Sequence, residues 1–172
     1  MSGRSQDSGL NASVPDRNRS TPGASRGHFV PADRGEHMER QRVATGTEWE
    51  PKVGYSRAVR VGDRVLVSGT TATDDEGNPI APGDPGVQTR RTLETVVDAV
   101  EEAGGRRADI VRTRIYVTDA DDWEEIGAVH AEFFGDIRPA ASMVEVSGLI
   151  GPEYVVEIEA EAVVPPEKRS EE

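Results

Sequence analysis

One run of residues constrains the fold more than any other. From Tyr154 to Val164, Tyr154, Val156, Ile158, Ala160 and Ala162 fall on one side of an extended chain, and Val155, Glu157, Glu159, Glu161 and Val163 on the other. Such strict alternation belongs to a strand with one apolar face and one acidic face. A second alternating run, Val111–Thr118, sets Val111, Thr113, Ile115 and Val117 on one face. Tyr55–Val61 and Arg64–Thr70 read as a hairpin around Gly62-Asp63, and Ser142–Val146 as a further strand. Two stretches follow the helical period instead. Leu93, Val96, Val97 and Val100 lie between the capping pair Asp84-Pro85 and Gly104-Gly105. Trp123, Ile126, His130, Phe133 and Phe134 form a broad stripe, expected to be core, between a cap at Asp119 or Asp121 and a stop at Gly135. The order ββαβαββ, with no internal repeat, is an α+β arrangement: one sheet with two helices packed on one face.

The 172 residues suffice for one domain and a tail. Residues 1–44 are rich in Ser, Gly, Arg, Asn and Pro and lack apolar periodicity, so they are read as a disordered extension. Met38-Glu39-Arg40 is the expected natural start; residues 1–37 are then an upstream extension or an over-long reading frame, with a functional tail as the alternative. The ordered domain is expected over residues 45–165, with 166–172 a charged C-terminal tail. There are no cysteines, which excludes disulfides, thiolate metal sites and a cysteine nucleophile. No apolar run is long enough to span a membrane and none resembles a signal peptide, so a cytoplasmic protein is expected.

Charge narrows the partners further. The net charge is −12, but residues 1–45 carry seven arginines against five acids, so the excess of acid lies in the domain. A surface of that sign repels phosphate backbones, and nucleic acid is not an expected partner. Only Lys52 and Lys168 are lysines, a bias that suits either a salt-adapted protein or a GC-rich genome. No glycine-rich nucleotide loop occurs, and His28, His37 and His130 lack metal-site spacing, so neither cofactor nor metal is expected.

The run Arg138-Pro139-Ala140-Ala141-Ser142-Met143-Val144-Glu145-Val146, taken with Gly54-Tyr55-Ser56, Val67-Ser68-Gly69 and Val155–Ala162, resembles the Rid/YjgF family. That family contains the reactive-intermediate deaminases and is also named endoribonuclease L-PSP. The resemblance covers roughly residues 46–164. It implies a chorismate-mutase-like fold and homotrimers whose sheets meet around a central axis, with ligands held in clefts between subunits. Glu157, Glu159 and Glu161 would then lie at or near subunit contacts, with a solvated acidic face as the alternative; Arg112 and Arg114, which share an outward face with Tyr116, are the candidate counter-charges.

Carried over residue by residue, the resemblance implies that Glu157 places the attacking water. It sets Tyr55 near the cleft wall, Ser68 and Gly69 at the end of the second strand, and Met143 where a backbone amide meets the reacting end of the ligand. Two positions depart from the family pattern. Ala141 stands where an arginine grips the substrate carboxylate, and Gly127 where active deaminases often carry asparagine. Arg138, three residues upstream of Ala141, is the candidate replacement, although a residue before proline is biased to extended backbone. His130 reads as a core or interface histidine, and Ser68 lacks the elbow and His–Asp partners of a serine nucleophile.

The first functional reading is hydrolytic deamination of a small reactive imine or enamine, the substrate lacking a carboxylate if Ala141 is not compensated. The alternative is a binding module that keeps trimer and clefts but captures a metabolite without turnover. RNA cleavage ranks below both, because it calls for a basic groove with exposed aromatics.

Overall fold

The strands and helices read from the sequence assemble around one six-stranded sheet. The computed structural model describes residues 39–47 and 49–165, all within the unit Glu36–Glu172. Strands β1 (Arg40–Val43), β2 (Ala58–Val61), β3 (Arg64–Thr70), β4 (Ile110–Val117), β5 (Ala140–Glu145) and β6 (Val156–Val163) lie in the order β1-β2-β3-β6-β4-β5. Only the β4–β5 pair is parallel. A short helix α1 (Trp49–Val53) joins β1 to β2, and α2 (Pro85–Glu102) and α3 (Trp123–Phe134) pack together over one face. The expected α+β fold with two helices on one sheet face is therefore present, extended at its N-terminal side by β1 and α1.

Strand β1 corrects the reading of residues 1–44 as disordered throughout. Arg40 to Val43 pair with Val61 to Ala58, and only Val43 is buried. Backbone hydrogen bonds to a neighbouring strand hold this segment, so no apolar pattern announced it. Residues 1–38 and 166–172 lie outside the described residues. Helix α1 was also missed. Its Glu50 is buried and accepts from the amide (3.0 Å) and hydroxyl (2.9 Å) of Thr45.

The core follows the alternation. Tyr154, Val156, Ile158, Ala160 and Ala162 are buried beneath α2, which contributes Leu93, Val96, Ala99 and Val100. Asp84 caps α2 by accepting from the Val87 amide at 2.8 Å, with Pro85 at the first helical position. Three readings need correction. On β4, Ile110 is buried and Val111 exposed, because an irregularity between Ile110 and Arg112 shifts the side-chain parity at the strand's start. On α3, Trp123 is exposed while Ile126, Val129 and Phe134 fill the core; Trp123 opens the helix, beyond the sheet's cover. Asp119 caps only the short 3-10 turn Ala120–Asp122, leaving Asp122 at the start of α3 without a side-chain cap.

Loops at one end of the sheet are tied by a buried amide. Gln88 donates to the carbonyls of Ile80 (3.2 Å), Ala81 (3.1 Å) and Glu153 (2.7 Å), and accepts from Val155 N–H at 2.9 Å. It fixes the approach to β6, and with it the register of Glu157.

Candidate functional site

The uncovered sheet face carries the polar chemistry. Arg114 donates to Glu159 (2.6 Å) and Glu161 (3.2 Å), and the Tyr116 hydroxyl donates to Glu159 at 3.0 Å. The hydrogen bond to Glu159 holds both Tyr116 and Arg114 above their ordinary pKa values. Two of the three glutamates on β6 thus have partners, as the counter-charge reading of Arg114 anticipated.

Glu157 differs. It is half-buried, and no hydrogen bond or ion pair holds its carboxylate among the described residues. Burial pushes its pKa up, the negative charge of Glu159 adds to the rise, and the positive charge of Arg57 opposes it. The space it occupies exists because residue 69 is glycine: a Cβ at Gly69 would collide with the Glu157 carboxylate. A register irregularity between Val67 and Thr70 turns this stretch of β3 toward the carboxylate.

Three further side chains shape this corner. The Ser68 hydroxyl donates to the Ser56 carbonyl at 2.8 Å, joining β3 to the segment before β2. Arg57 donates through Nη1 to the Gly69 carbonyl (3.1 Å) and to Thr70 Oγ1 (2.7 Å). Its guanidinium carbon lies 5.9 Å from the centre of the half-buried Tyr55 ring. Tyr55, Ser68, Gly69 and Glu157 are therefore brought together around Arg57. Sequence reasoning passed over Arg57, although its place directly after Tyr55-Ser56 was a usable signal.

The remaining candidates lie elsewhere. Thr113 pairs with Ala141 and Ile115 with Met143, and both β4 residues face the helices. Glu157 pairs with Tyr116, whose side chain takes the other face. Ala141 and Met143 therefore sit on the helix-covered face of the edge strand β5, opposite to Glu157. Gly127 lies on α3, and a Cβ there would meet nothing within 4 Å. Arg138 has φ +54°, not the extended backbone expected before Pro139. The amides of Ile137 and Arg138 both donate to the Phe134 carbonyl, and this helix-ending turn imposes the left-handed conformation. The Arg138 side chain folds back to the Gly135 carbonyl at 3.2 Å.

His130 is half-buried, with Nε2 3.0 Å from Thr113 Oγ1, and burial lowers its pKa. Among the described residues no three His, Asp or Glu side chains converge as metal ligands, and no helix is long and apolar enough to cross a membrane.

Comparison with known proteins identifies the family. The family model described as Endoribonuclease L-PSP matches residues 45–164. The chain belongs to that family. An uncharacterized protein of Streptomyces coelicolor is 37% identical over 123 residues, 71% of this chain and 90% of the relative. A RutC family protein of Pyrococcus abyssi is 38% identical over 123 residues, 72% of this chain and 96% of the relative. Among solved structures, a Mycobacterium tuberculosis member of the YjgF/YER057c/UK114 family is 52% identical, with a TM-score of 0.67, covering 73% of this chain and all of that one. The E. coli YjgF gene product is 34% identical, with a TM-score of 0.58, over 63% of this chain and 87% of its own. The L-PSP/YjgF assignment thus covers nearly all of the described chain.

Proposed function

We propose that this L-PSP/YjgF member is a homotrimeric hydrolase of small reactive imines and enamines, acting in clefts between subunits. The observation that carries the reading is Glu157: an unpartnered, half-buried carboxylate whose place depends on a glycine opposite. A carboxyl raised toward neutrality suits a general base. Water adds to the imine carbon and gives a proton to Glu157, which passes it to the nitrogen and is left ionised as before. The carbinolamine then loses ammonia and leaves a carbonyl, so imine and water become carbonyl compound and ammonia.

The division of the candidates between two sheet faces supports an inter-subunit site. One protomer presents Tyr55, Ser68, Gly69 and Glu157, and the Ala141–Met143 side of a second copy would complete the cleft. Leu66, Val144 and Val163 on the uncovered face are exposed, which suits burial against further copies. Light scattering after gel filtration should give about three times the chain mass of 18.6 kDa.

The deciding assay generates an imine in situ with an amino-acid oxidase or an amine oxidase and follows ammonia release. The protein should shorten imine lifetime well below the spontaneous value. Ligand retention without acceleration would favour the binding-module reading instead, to which Ala141 and the open space at Gly127 already lend weight. RNA cleavage has no comparable support, given the acid excess of the domain.

A further inference from the structure

Helix α3 turns two different flanks to its surroundings. Glu132 forms an ion pair with Arg90 of α2, and Glu125 lies against Gly86 at the start of α2, so one flank faces α2. At 3.6 residues per turn, Gly127 and His130 fall on the opposite flank. His130 reaches down to Thr113 on β4, and the strand next to β4, on the side away from β6, is β5. That flank therefore overhangs β5. Ala141, the β5 partner of Thr113, is exposed despite lying on the helix-covered face, and a Cβ at Gly127 would meet nothing within 4 Å. The result is an open groove between α3 and β5, with His130 on its inner wall.

Thr113 decides where the imidazole carries its proton. Its hydroxyl is fully buried and has no hydrogen-bond partner among the described residues except His130 Nε2. A buried hydroxyl needs an acceptor, so Thr113 donates and Nε2 accepts. Burial lowers the pKa of His130, so the ring is neutral at pH 7 and its single proton sits on Nδ1. Nδ1 makes no hydrogen bond among the described residues and is not enclosed. The Phe134 ring, centred 4.8 Å away, and Thr113 together fix the imidazole in place.

We propose that His130 is a ligand-binding residue of this groove, its Nδ1–H donating to the amide carbonyl of a 2-imino amide. The assignment rests on the imine-hydrolase reading, whose cleft includes the Ala141–Met143 side, and names its substrate class. A neutral ring offers a hydrogen bond but no charge to offset a carboxylate, so the groove favours an uncharged acceptor. The two arginines at the end of α3 are held elsewhere. Arg138 folds back to the Gly135 carbonyl, and Arg107 donates to the Phe133 carbonyl and to Asp136. Hydrolysis turns the imino amide and water into a 2-oxo amide and ammonia.

Pyruvamide, the product from the simplest such imine, and pyruvate, its charged counterpart, are titrated separately into the full-length protein. Long-range proton–nitrogen NMR spectra then contain only the imidazoles of His28, His37 and His130, and His130→Phe identifies the last. Without ligand, His130 should show the Nδ1–H tautomer, and pyruvamide should shift that signal. Pyruvate should bind more weakly. His130→Phe keeps a ring against Phe134 but removes the donor, and should weaken pyruvamide binding about three- to tenfold, the range of one neutral hydrogen bond. Adding Thr113→Val removes the hydroxyl that this variant strands, and the pair should show the same loss even where the single variant folds poorly. Ala141→Leu fills the groove from an exposed position and should block pyruvamide.

An Nε2–H tautomer, pyruvate bound as tightly as pyruvamide, or unchanged pyruvamide binding in the His130 variants would each overturn the proposal. If pyruvamide binds through His130 and no imine is hydrolysed, the groove stands and the hydrolase reading falls. If imines are hydrolysed and pyruvamide does not bind, the groove assignment falls alone.

Discussion

Gly69→Ala separates the chemistry of the site from the stability of the fold. The three atoms nearest to the added methyl would all belong to the Glu157 side chain, its carboxylate oxygen first. These atoms end a flexible side chain, so the carboxylate swings away and the backbone stays. Leaving a preferred rotamer costs about 0.5–1.5 kcal/mol. Against that, replacing glycine restricts the unfolded chain and contributes about 0.4–1 kcal/mol where the backbone permits. It permits here, since Gly69 is outside the left-handed region. The terms nearly cancel, leaving between about 0.5 kcal/mol of gain and 1 kcal/mol of loss. Activity should fare differently. A displaced general base removes about 10²–10⁴-fold in rate. Urea unfolding and imine hydrolysis on the same preparations read both effects. In a Glu157→Ala background nothing remains to collide, and Gly69→Ala should stabilise by about 0.4–1 kcal/mol. Wild-type turnover in Gly69→Ala would refute the reasoning, because the position of the carboxylate would then not matter. A loss beyond about 3 kcal/mol would refute it differently, by placing rigid packing where the structure has a mobile side-chain end.

Other expectations concern stability. Burial raises the folded pKa of Glu157, so its ionisation costs stability. The cost vanishes below the ordinary value of 4.5, where both states hold the proton, and grows as pH rises through the raised value. Glu157→Gln should therefore raise the melting temperature at neutral pH and leave it unchanged below 4.5. His130 has the opposite sign: its folded pKa is lowered, so stability should fall as pH drops through 6.5, and His130→Gln should flatten that limb in thermal scans. Gln88→Ala strands three carbonyls and the Val155 amide and should cost about 3 kcal/mol by chemical denaturation.

The sequence disclosed what is periodic and hid what is not. Alternation at 154–164 marked the core side of β6 because burial alone selects those residues. The same pattern misassigned Val111, since a single irregular pairing reverses parity and leaves no compositional trace. Arg40–Val43 hold together through backbone pairing to β2, which side-chain hydropathy does not register. At the candidate site, family resemblance singled out Tyr55, Ser68, Gly69 and Glu157, and these do lie together. It could not show that Ala141 and Met143 face the other side of the sheet, because that depends on strand register. Nor could it reveal Arg57, whose ties to the Gly69 carbonyl and Thr70 beside Glu157 arise only in the fold.

The most direct test of the account is the pH dependence of imine hydrolysis, with the spontaneous rate subtracted, for the wild type and Glu157→Gln. The account predicts a rate that rises with pH through an apparent pKa above 4.5, as Glu157 gives up its proton and becomes able to accept one from water. In the variant that limb should disappear, together with about 10²–10⁴-fold of the rate. A variant with the rate and profile of the wild type would contradict it.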